Sequence, residues 1–286
     1  MSDIVFLDGE YVPRTEARVS VEDRGFLFGD GVYEVTPAYR GGLLRLDRHL
    51  ARLDRGLRGL GISADTSGIE EVHRELLRRN GLEDEPMSIV YLQITRGVAI
   101  RTHHFPPPAT RPTIFAYARA FRRPDPAEWL EGYGAITYPD RRWSRCDLKT
   151  LQLLPSVMAQ EAARAAGEVD AILVREGMAL EGSHNNLFFV FDEVLRTHPT
   201  SNQILPGITR ELVLELAREG GIEVEERPTP VEEVVEASEV FFTGTTTEIR
   251  PTVRVNQTPV GSGRVGPVTR RLYERLLERI AEETQP

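Results

Sequence analysis

The stretch RRWSRCDLKTLQLLPSV (141–157) contains Lys149, the only lysine among 286 residues. The chain carries 35 Lys+Arg, of which 34 are arginine, and 35 − 34 leaves one. Arginine supplies charge, solubility and ion pairs as well as lysine does. It does not shed a proton near neutral pH, so it does not attack a carbonyl. A position that kept its amine while the others carry guanidinium points to chemistry that only an amine performs, with Schiff-base formation first. Drift from lysine to arginine in a GC-rich genome, leaving one remnant, reads the composition equally well. Around Lys149 a polar segment gives way to an apolar run, as where a loop or strand end enters a core. An amine partly out of water gives up its charge more readily.

The rest of the chain sets the frame. Apolar alternation predicts strands at 4–8, 32–39, 87–95, 113–119, 133–138, 169–175, 186–191 and 240–243. Leu46, Leu50, Leu53, Leu57 and Leu60 recur at helical spacing. Further helices are expected over 155–166, with Pro155 near its start and Gly167 after its end, over 210–219 behind Thr209 as N-cap, and over 268–283. The strands come in clusters, so the fold class is α+β or mixed α/β rather than a doubly wound sheet. The polar, proline-containing segment 122–129 reads as a linker between an N-terminal α/β domain, 1–121, and a C-terminal α/β domain, 130–286, that holds Lys149. Pro37 inside the 32–39 strand suggests an edge or a bulge.

A net charge of −9 weighs against nucleic acid or an anionic membrane as partner. One cysteine, Cys146, excludes an internal disulfide framework and a cysteine-based zinc site. His103-His104 lacks carboxylate or cysteine partners at ligand spacing, so no metal is expected. No apolar run approaches the roughly 20 residues of a membrane span, and the N-terminal residues lack a basic-then-apolar leader pattern, so the expected compartment is the cytoplasm. GSGRVG (261–266) matches a dinucleotide fingerprint literally but lacks the surrounding βαβ unit; it reads as a glycine turn before a helix opened by Pro267.

An amine that binds pyridoxal phosphate needs three companions: a carboxylate for the pyridine nitrogen, donors for the phosphate, and a cation for the substrate carboxylate. Glu181 stands before the turn-rich GSHNN segment and a buried strand, where an acid needs a partner; a plain turn carboxylate is the alternative. Gly207, Ile208 and Thr209 open a helix and offer free N–H groups to an anion, or cap an ordinary helix. FFTGTTTEIRP ends a strand in a hydroxyl-rich loop with Thr245 and Thr246, which is also what a simple turn looks like. Each motif alone is weak, and their joint presence with one lysine is what carries weight.

With these segments side by side, the chain resembles the class IV pyridoxal-phosphate aminotransferases over nearly its whole length. The resemblance rests on DRGFLFGDGVYEV (23–35), HLARL (49–53), CDLKTLQLL (146–154), EGSHNNLFFV (181–190), LPGITR (205–210) and FFTGTTTEIRPTV (241–253). It implies a two-domain fold of type IV, Lys149 as Schiff-base lysine and proton shuttle, and Glu181 on the pyridine nitrogen. It implies that Arg52, Ile208, Thr209 and Thr245 hold the phosphate. Within the family the D-amino-acid branch is nearest. Tyr33 and Val35 share one face of a strand and match its substrate-facing pair, where the L-branched-chain branch has glycine at the second place. Arg101 and His103, two apart in YLQITRGVAIRTHHFP (91–106), match its carboxylate trap, contributed there by the neighbouring subunit of a homodimer. His184 and Asn185 depart from the small serines of D-specific relatives, which leaves the side-chain preference open.

The implied activity is ping-pong transamination between a D-amino acid, such as D-alanine or D-glutamate, and a 2-oxo acid, 2-oxoglutarate or pyruvate. The alternatives are an L-branched-chain aminotransferase or an aminodeoxychorismate lyase of the same fold, and, from another class, a carrier that binds the cofactor without turnover.

Overall fold

The computed structural model describes residues 3–284. Within them the chain forms two compact units. Unit 1 comprises the N-terminal residues through Arg122, the segment Leu148–Gln152, and the chain from Ile280 on; unit 2 comprises Arg123–Asp147 and Leu153–Arg279. The first two and last two residues of the domain ranges expected from sequence lie outside the described residues.

Unit 1 is built on strands β1 (Ile4–Leu7), β2 (Glu10–Pro13), β3 (Gly31–Tyr39), β4 (Gly42–Leu43), β5 (Ser88–Thr95) and β6 (Thr113–Ala120). They form one sheet in the order β2-β1-β6-β5-β3-β4, with every pair antiparallel. Three helices accompany it: α1 (Arg24–Phe28), α2 (Leu46–Leu60) and α3 (Ile69–Arg79). Val32 and Ala38 of β3 share one buried cluster with Leu53 and Leu57 of α2 and with Val72, Leu76 and Leu77 of α3. Alternation along β3 therefore turns Val32, Glu34, Thr36 and Ala38 to the helices and Tyr33 and Val35 to the other face.

Pro37 does not interrupt β3. The strand pairs with β5 from Gly31↔Thr95 to Ala38↔Ser88 without a break. The Pro37 carbonyl accepts from Leu44 N–H at 3.0 Å, on the side away from β5. In an antiparallel strand a residue's N–H and C=O point the same way, so the missing N–H costs no bond to β5.

Unit 2 begins with α4 (Pro126–Glu131), so the segment 122–129 ends inside a helix rather than as free linker. Trp129 is buried there and its Nε1–H donates to the Ile249 carbonyl at 2.8 Å. The strands are β7 (Tyr133–Pro139), β8 (Asp170–Arg175), β9 (Met178–Gly182), β10 (Asn186–Phe191), β11 (Val194–Thr197), β12 (Val224–Glu226), β13 (Thr229–Pro230), β14 (Glu239–Gly244), β15 (Glu248–Val255) and β16 (Thr258–Pro259). Their order is β12-β11-β10-β14-β15-β7-β8-β9-β13, with β16 on β15. A further β10–β9 pairing at Asn186↔Glu181 closes this path on itself. Parallel pairs (β7–β8, β7–β15, β11–β12) mix with antiparallel ones, which is the mixed architecture expected from clustered strands.

Helices α5 (Leu154–Ala165), α6 (Ile208–Glu219) and α7 (Pro267–Thr284) complete the order. The N-cap of α6 is Gly207, and Thr209 lies inside the first turn. No helix among the described residues is long and apolar enough to cross a membrane.

Candidate active site

Lys149 belongs with unit 1, not with the C-terminal part as read from the sequence. Its segment runs along the open side of β3. Tyr33 N–H donates to the Lys149 carbonyl at 3.0 Å, Leu151 N–H donates to the Gly31 carbonyl at 3.1 Å, and Thr150 bridges Val32. Gly31 is required for this approach: a Cβ there would stand 2.6 Å from the Ile94 carbonyl and 2.8 Å from Leu151 Cδ1. The half-buried Lys149 puts its Nζ 4.2 Å from the centre of the Tyr33 ring. No carboxylate pairs with this amine among the described residues. An aromatic face favours an ammonium less than a carboxylate does, so the nitrogen is held in place without being committed to an ion pair.

Tyr33 begins an aromatic row on the sheet face opposite α2 and α3. It stacks on Tyr91 at 5.7 Å, and Tyr91 stacks on Tyr117 at 5.1 Å. Val35 lies opposite Tyr91 in the register, so Tyr33 and Val35 share this face. Tyr91 donates its hydroxyl to Gln93 Oε1 at 2.8 Å, and burial pushes its phenol up.

The helix-facing side of β3 carries an acid where apolar residues dominate, and burial forces it to find partners. Glu34 is buried and receives Arg52 Nε and Nη2, each at 2.8 Å, and His49 Nδ1 at 2.9 Å. Burial pushes the Glu34 carboxyl up, but Arg52 and His49 outweigh it and hold the group well below the usual carboxylate range. Burial in turn lowers His49 against the pull of Glu34. Arg52 is therefore a buried, oriented guanidinium, not one more solvated arginine on an Arg-rich helix.

Arg101 and His103 are exposed on the segment between β5 and β6. Arg101 Cζ lies 5.0 Å from the Phe28 ring centre and the His103 ring 6.0 Å from it. Among the described residues no hydrogen bond or ring contact joins either to Tyr33.

In unit 2 Glu181 is buried at the β9–β10 closure. Its carboxylate receives the Arg142 guanidinium, Asn186 Nδ2 at 2.9 Å, and Leu205 N–H at 3.1 Å. Arg142 is itself braced on Asp140 through Nε at 2.9 Å and Nη2 at 3.0 Å, and Arg175 reaches the same Asp140 at 2.8 Å. Burial pushes the Glu181 carboxyl up, while Arg142 and the Leu205 N–H pull it down and leave it above its ordinary value. Asn186 also donates to the Leu205 carbonyl at 2.8 Å, which ties Glu181 to the turn entering α6.

Ile208 and Thr209 start α6, where no side chain caps the N-terminus. Gly207 is required just before them, because a Cβ would meet Asn186 Oδ1 at 2.0 Å. Thr245 is half-buried in the turn between β14 and β15, and its neighbour Thr247 donates to Asn185 Oδ1 at 2.7 Å. Asn185 also donates to the fully buried Asp170.

Residues 31–255 match the family described as amino-transferase class IV. The chain belongs to the class IV aminotransferases. This aminotransferase is 40% identical over 282 residues to the D-alanine aminotransferase of Bacillus licheniformis, covering 98% of each chain. Its fold is similar to that of the branched-chain amino acid aminotransferase of Escherichia coli, with a TM-score of 0.91, 29% identity, and 100% and 97% of the two chains covered. It is also similar to the T.th. branched-chain amino acid aminotransferase solved with pyridoxamine 5'-phosphate, with a TM-score of 0.90, 29% identity, and coverage of 100% and 96%. Class IV aminotransferases depend on pyridoxal phosphate. The residues of each unit suit it by their chemistry: in unit 1 an amine with no acidic partner among the described residues, and in unit 2 a buried carboxylate held by three donors and an uncapped helix start.

Four partners of these residues were not foreseen: Glu34 with His49, and Arg142 with Asp140. Glu34 had a signal, since it lies in phase with Val32 and Ala38 on a half-apolar strand. Arg142 had none, because its partner Glu181 is 39 residues away.

Proposed function

We infer that this aminotransferase moves the amino group of a D-amino acid, such as D-alanine or D-glutamate, to a 2-oxo acid, 2-oxoglutarate or pyruvate. The observation that carries the reading is the only lysine's amine, resting on Tyr33 with no carboxylate partner among the described residues. Identity of 40% to a D-alanine aminotransferase, against 29% to the branched-chain enzymes of similar fold, supports the D substrate. Val35 supports it too, standing where the branched-chain pattern has glycine.

When bound, pyridoxal phosphate supplies an aldehyde that condenses with amines and a ring that accepts the electron pair of a broken Cα–H bond. Lys149 would hold it through Nζ, and the same amine would take the substrate Cα proton and later return it. Glu181, braced by Arg142 and Asn186, would keep the ring nitrogen protonated. On the family resemblance, the Ile208 and Thr209 N–H groups, the Thr245 hydroxyl and the Arg52 guanidinium would hold the phosphate. Arg101 and His103 take the substrate carboxylate with Tyr33, and Val35 lines the same face. The family resemblance supports a homodimer as the working form, in which each copy lends its 101–103 segment to the other. One amine serving both half-reactions gives ping-pong kinetics. The substrates are small molecules, neither nucleic acid nor membrane is a partner, and the compartment is the cytoplasm.

The test is spectroscopic. D-alanine added to cofactor-loaded enzyme converts the visible absorption band, and L-leucine leaves it in place. Conversion by L-leucine alone would move the assignment to the branched-chain enzymes, and conversion by neither would leave a cofactor carrier.

A further inference from the structure

The short helix α1 lies against the segment that bears Arg101 and His103, and it is firmly rooted. Its N-cap Asp23 is buried and accepts from Gly25 N–H at 2.7 Å, Thr95 Oγ1 at 3.0 Å and Thr113 Oγ1 at 2.7 Å. Those bonds tie α1 to the end of β5 and the start of β6. From this base two side chains reach the segment. Arg24, buried, binds Asp30 Oδ2 through Nε at 2.8 Å and donates from Nη1 to the Thr102 carbonyl at 2.9 Å. Thr102 is the residue between Arg101 and His103.

Phe28 presents its ring to three groups. Arg24 Cζ stands 4.6 Å from its centre, Arg101 Cζ 5.0 Å, and the His103 ring 6.0 Å at an interplanar angle of 59°. Asp30 is already shared, since Arg96 Nε also binds its Oδ2 at 2.8 Å. Arg101 has no ion pair among the described residues, so its guanidinium is positioned by an aromatic face and its charge remains unspent. A side chain as long as arginine loses much rotamer freedom when it binds, and fixing it beforehand lowers that cost.

We propose that Arg24 and Phe28 are positioning residues for substrate recognition: Arg24 fixes the backbone at Thr102, and Phe28 is the platform on which Arg101 and His103 are held ready for a substrate carboxylate. The proposal rests on Arg101 and His103 being the carboxylate receptor. Neither Arg24 nor Phe28 touches the reacting atoms in this scheme, so their loss acts on substrate affinity and leaves the cofactor alone.

The experiment compares Phe28→Leu, Phe28→Tyr, Arg24→Lys, Arg101→Ala and the double variant Phe28→Leu/Arg101→Ala as cofactor-loaded enzymes with D-alanine. Phe28→Leu keeps the apolar volume and removes the ring, so it tests the platform even where Arg24→Lys does not fold. The expected result for Phe28→Leu is a KM raised about threefold to thirtyfold, with kcat and the visible absorption band unchanged. Phe28→Tyr restores the original KM. In the double variant the Phe28 change adds less than about twofold to the effect of Arg101→Ala, because it acts through that residue. A KM for Phe28→Leu within about twofold of the parent, or full multiplication of the two effects, overturns the proposal while the receptor assignment stands. An unchanged KM in Arg101→Ala removes the receptor assignment itself, and the proposal with it.

Discussion

Arg52 grips Glu34 at two points, Nε to Oε1 and Nη2 to Oε2, both at 2.8 Å, inside the interface between α2 and β3. A forked, parallel pair of this kind fixes the plane of the guanidinium as well as its place. It also explains why an acid tolerates the helix-facing side of β3. The carboxylate is compensated by one cation and one imidazole, and none of the three side chains is left to water.

Glu34→Gln should therefore cost far more than one surface hydrogen bond. It leaves the buried Arg52 without its counter-charge, which in comparable settings destabilises by about 3–5 kcal/mol. Urea denaturation followed by circular dichroism checks it. A midpoint unchanged from the parent would show that the pair contributes no net stability.

His73 makes stability fall with acid. Its Nδ1 bonds the Ile69 carbonyl at 2.8 Å and its Nε2 meets Thr36 Oγ1 at 3.2 Å, an arrangement that suits the neutral ring. Burial lowers its pKa from 6.5 to about 4. Below 6.5 the unfolded chain binds a proton that the native chain refuses. Stability is then present above pH 6.5 and is lost as pH falls toward 4, by about 3 kcal/mol over that window. Glu34, whose folded pKa is depressed, adds a second loss that begins as pH falls below its ordinary 4.5. His73→Gln should flatten the first part of the profile, as read from unfolding free energies at a series of pH values. An unchanged slope between pH 6.5 and 4 contradicts the assignment to His73.

In the role proposed for Glu181, Glu181→Gln exchanges a carboxylate that would keep the cofactor ring cationic for an amide that would not. Turnover with D-alanine is expected to fall on the order of a hundredfold or more, with cofactor still bound. Steady-state kinetics beside an absorbance spectrum separates loss of turnover from loss of cofactor. Parent-like turnover would place the ring-nitrogen partner elsewhere.

Arg101→Ala is expected to raise KM for D-alanine and D-glutamate about tenfold to a hundredfold, the worth of a charge-assisted contact. Cofactor affinity stays as in the parent. Matching kinetics for both substrates in parent and variant would remove Arg101 from recognition.

The sequence announced the local parts well. Alternation predicted β3, β5 and β6, because one sheet face is apolar and the period of two is unbroken. Proline and glycine marked both ends of α5. The helix α3 was passed over although Ile69, Val72, Leu76 and Leu77 carry the right spacing between acids at its start and arginines at its end. The strands β9, β11 and β15 lie outside the expected ones, and length alone does not explain it, since β1 with four residues is among those expected and β15 has eight. Long-range choices were not legible. Nothing local in Leu148–Gln152 says that it pairs with β3, more than a hundred residues earlier, and so belongs with unit 1. The same holds for Arg142 on Glu181: arginines are so frequent here that no single one stands out before the fold selects it.

The most direct test is borohydride reduction of the cofactor-loaded enzyme followed by peptide mass spectrometry. The account predicts one phosphopyridoxyl group, attached to Lys149 and to no other position. Protein that takes up no cofactor on reconstitution, or a stable adduct found at any other residue, would contradict it.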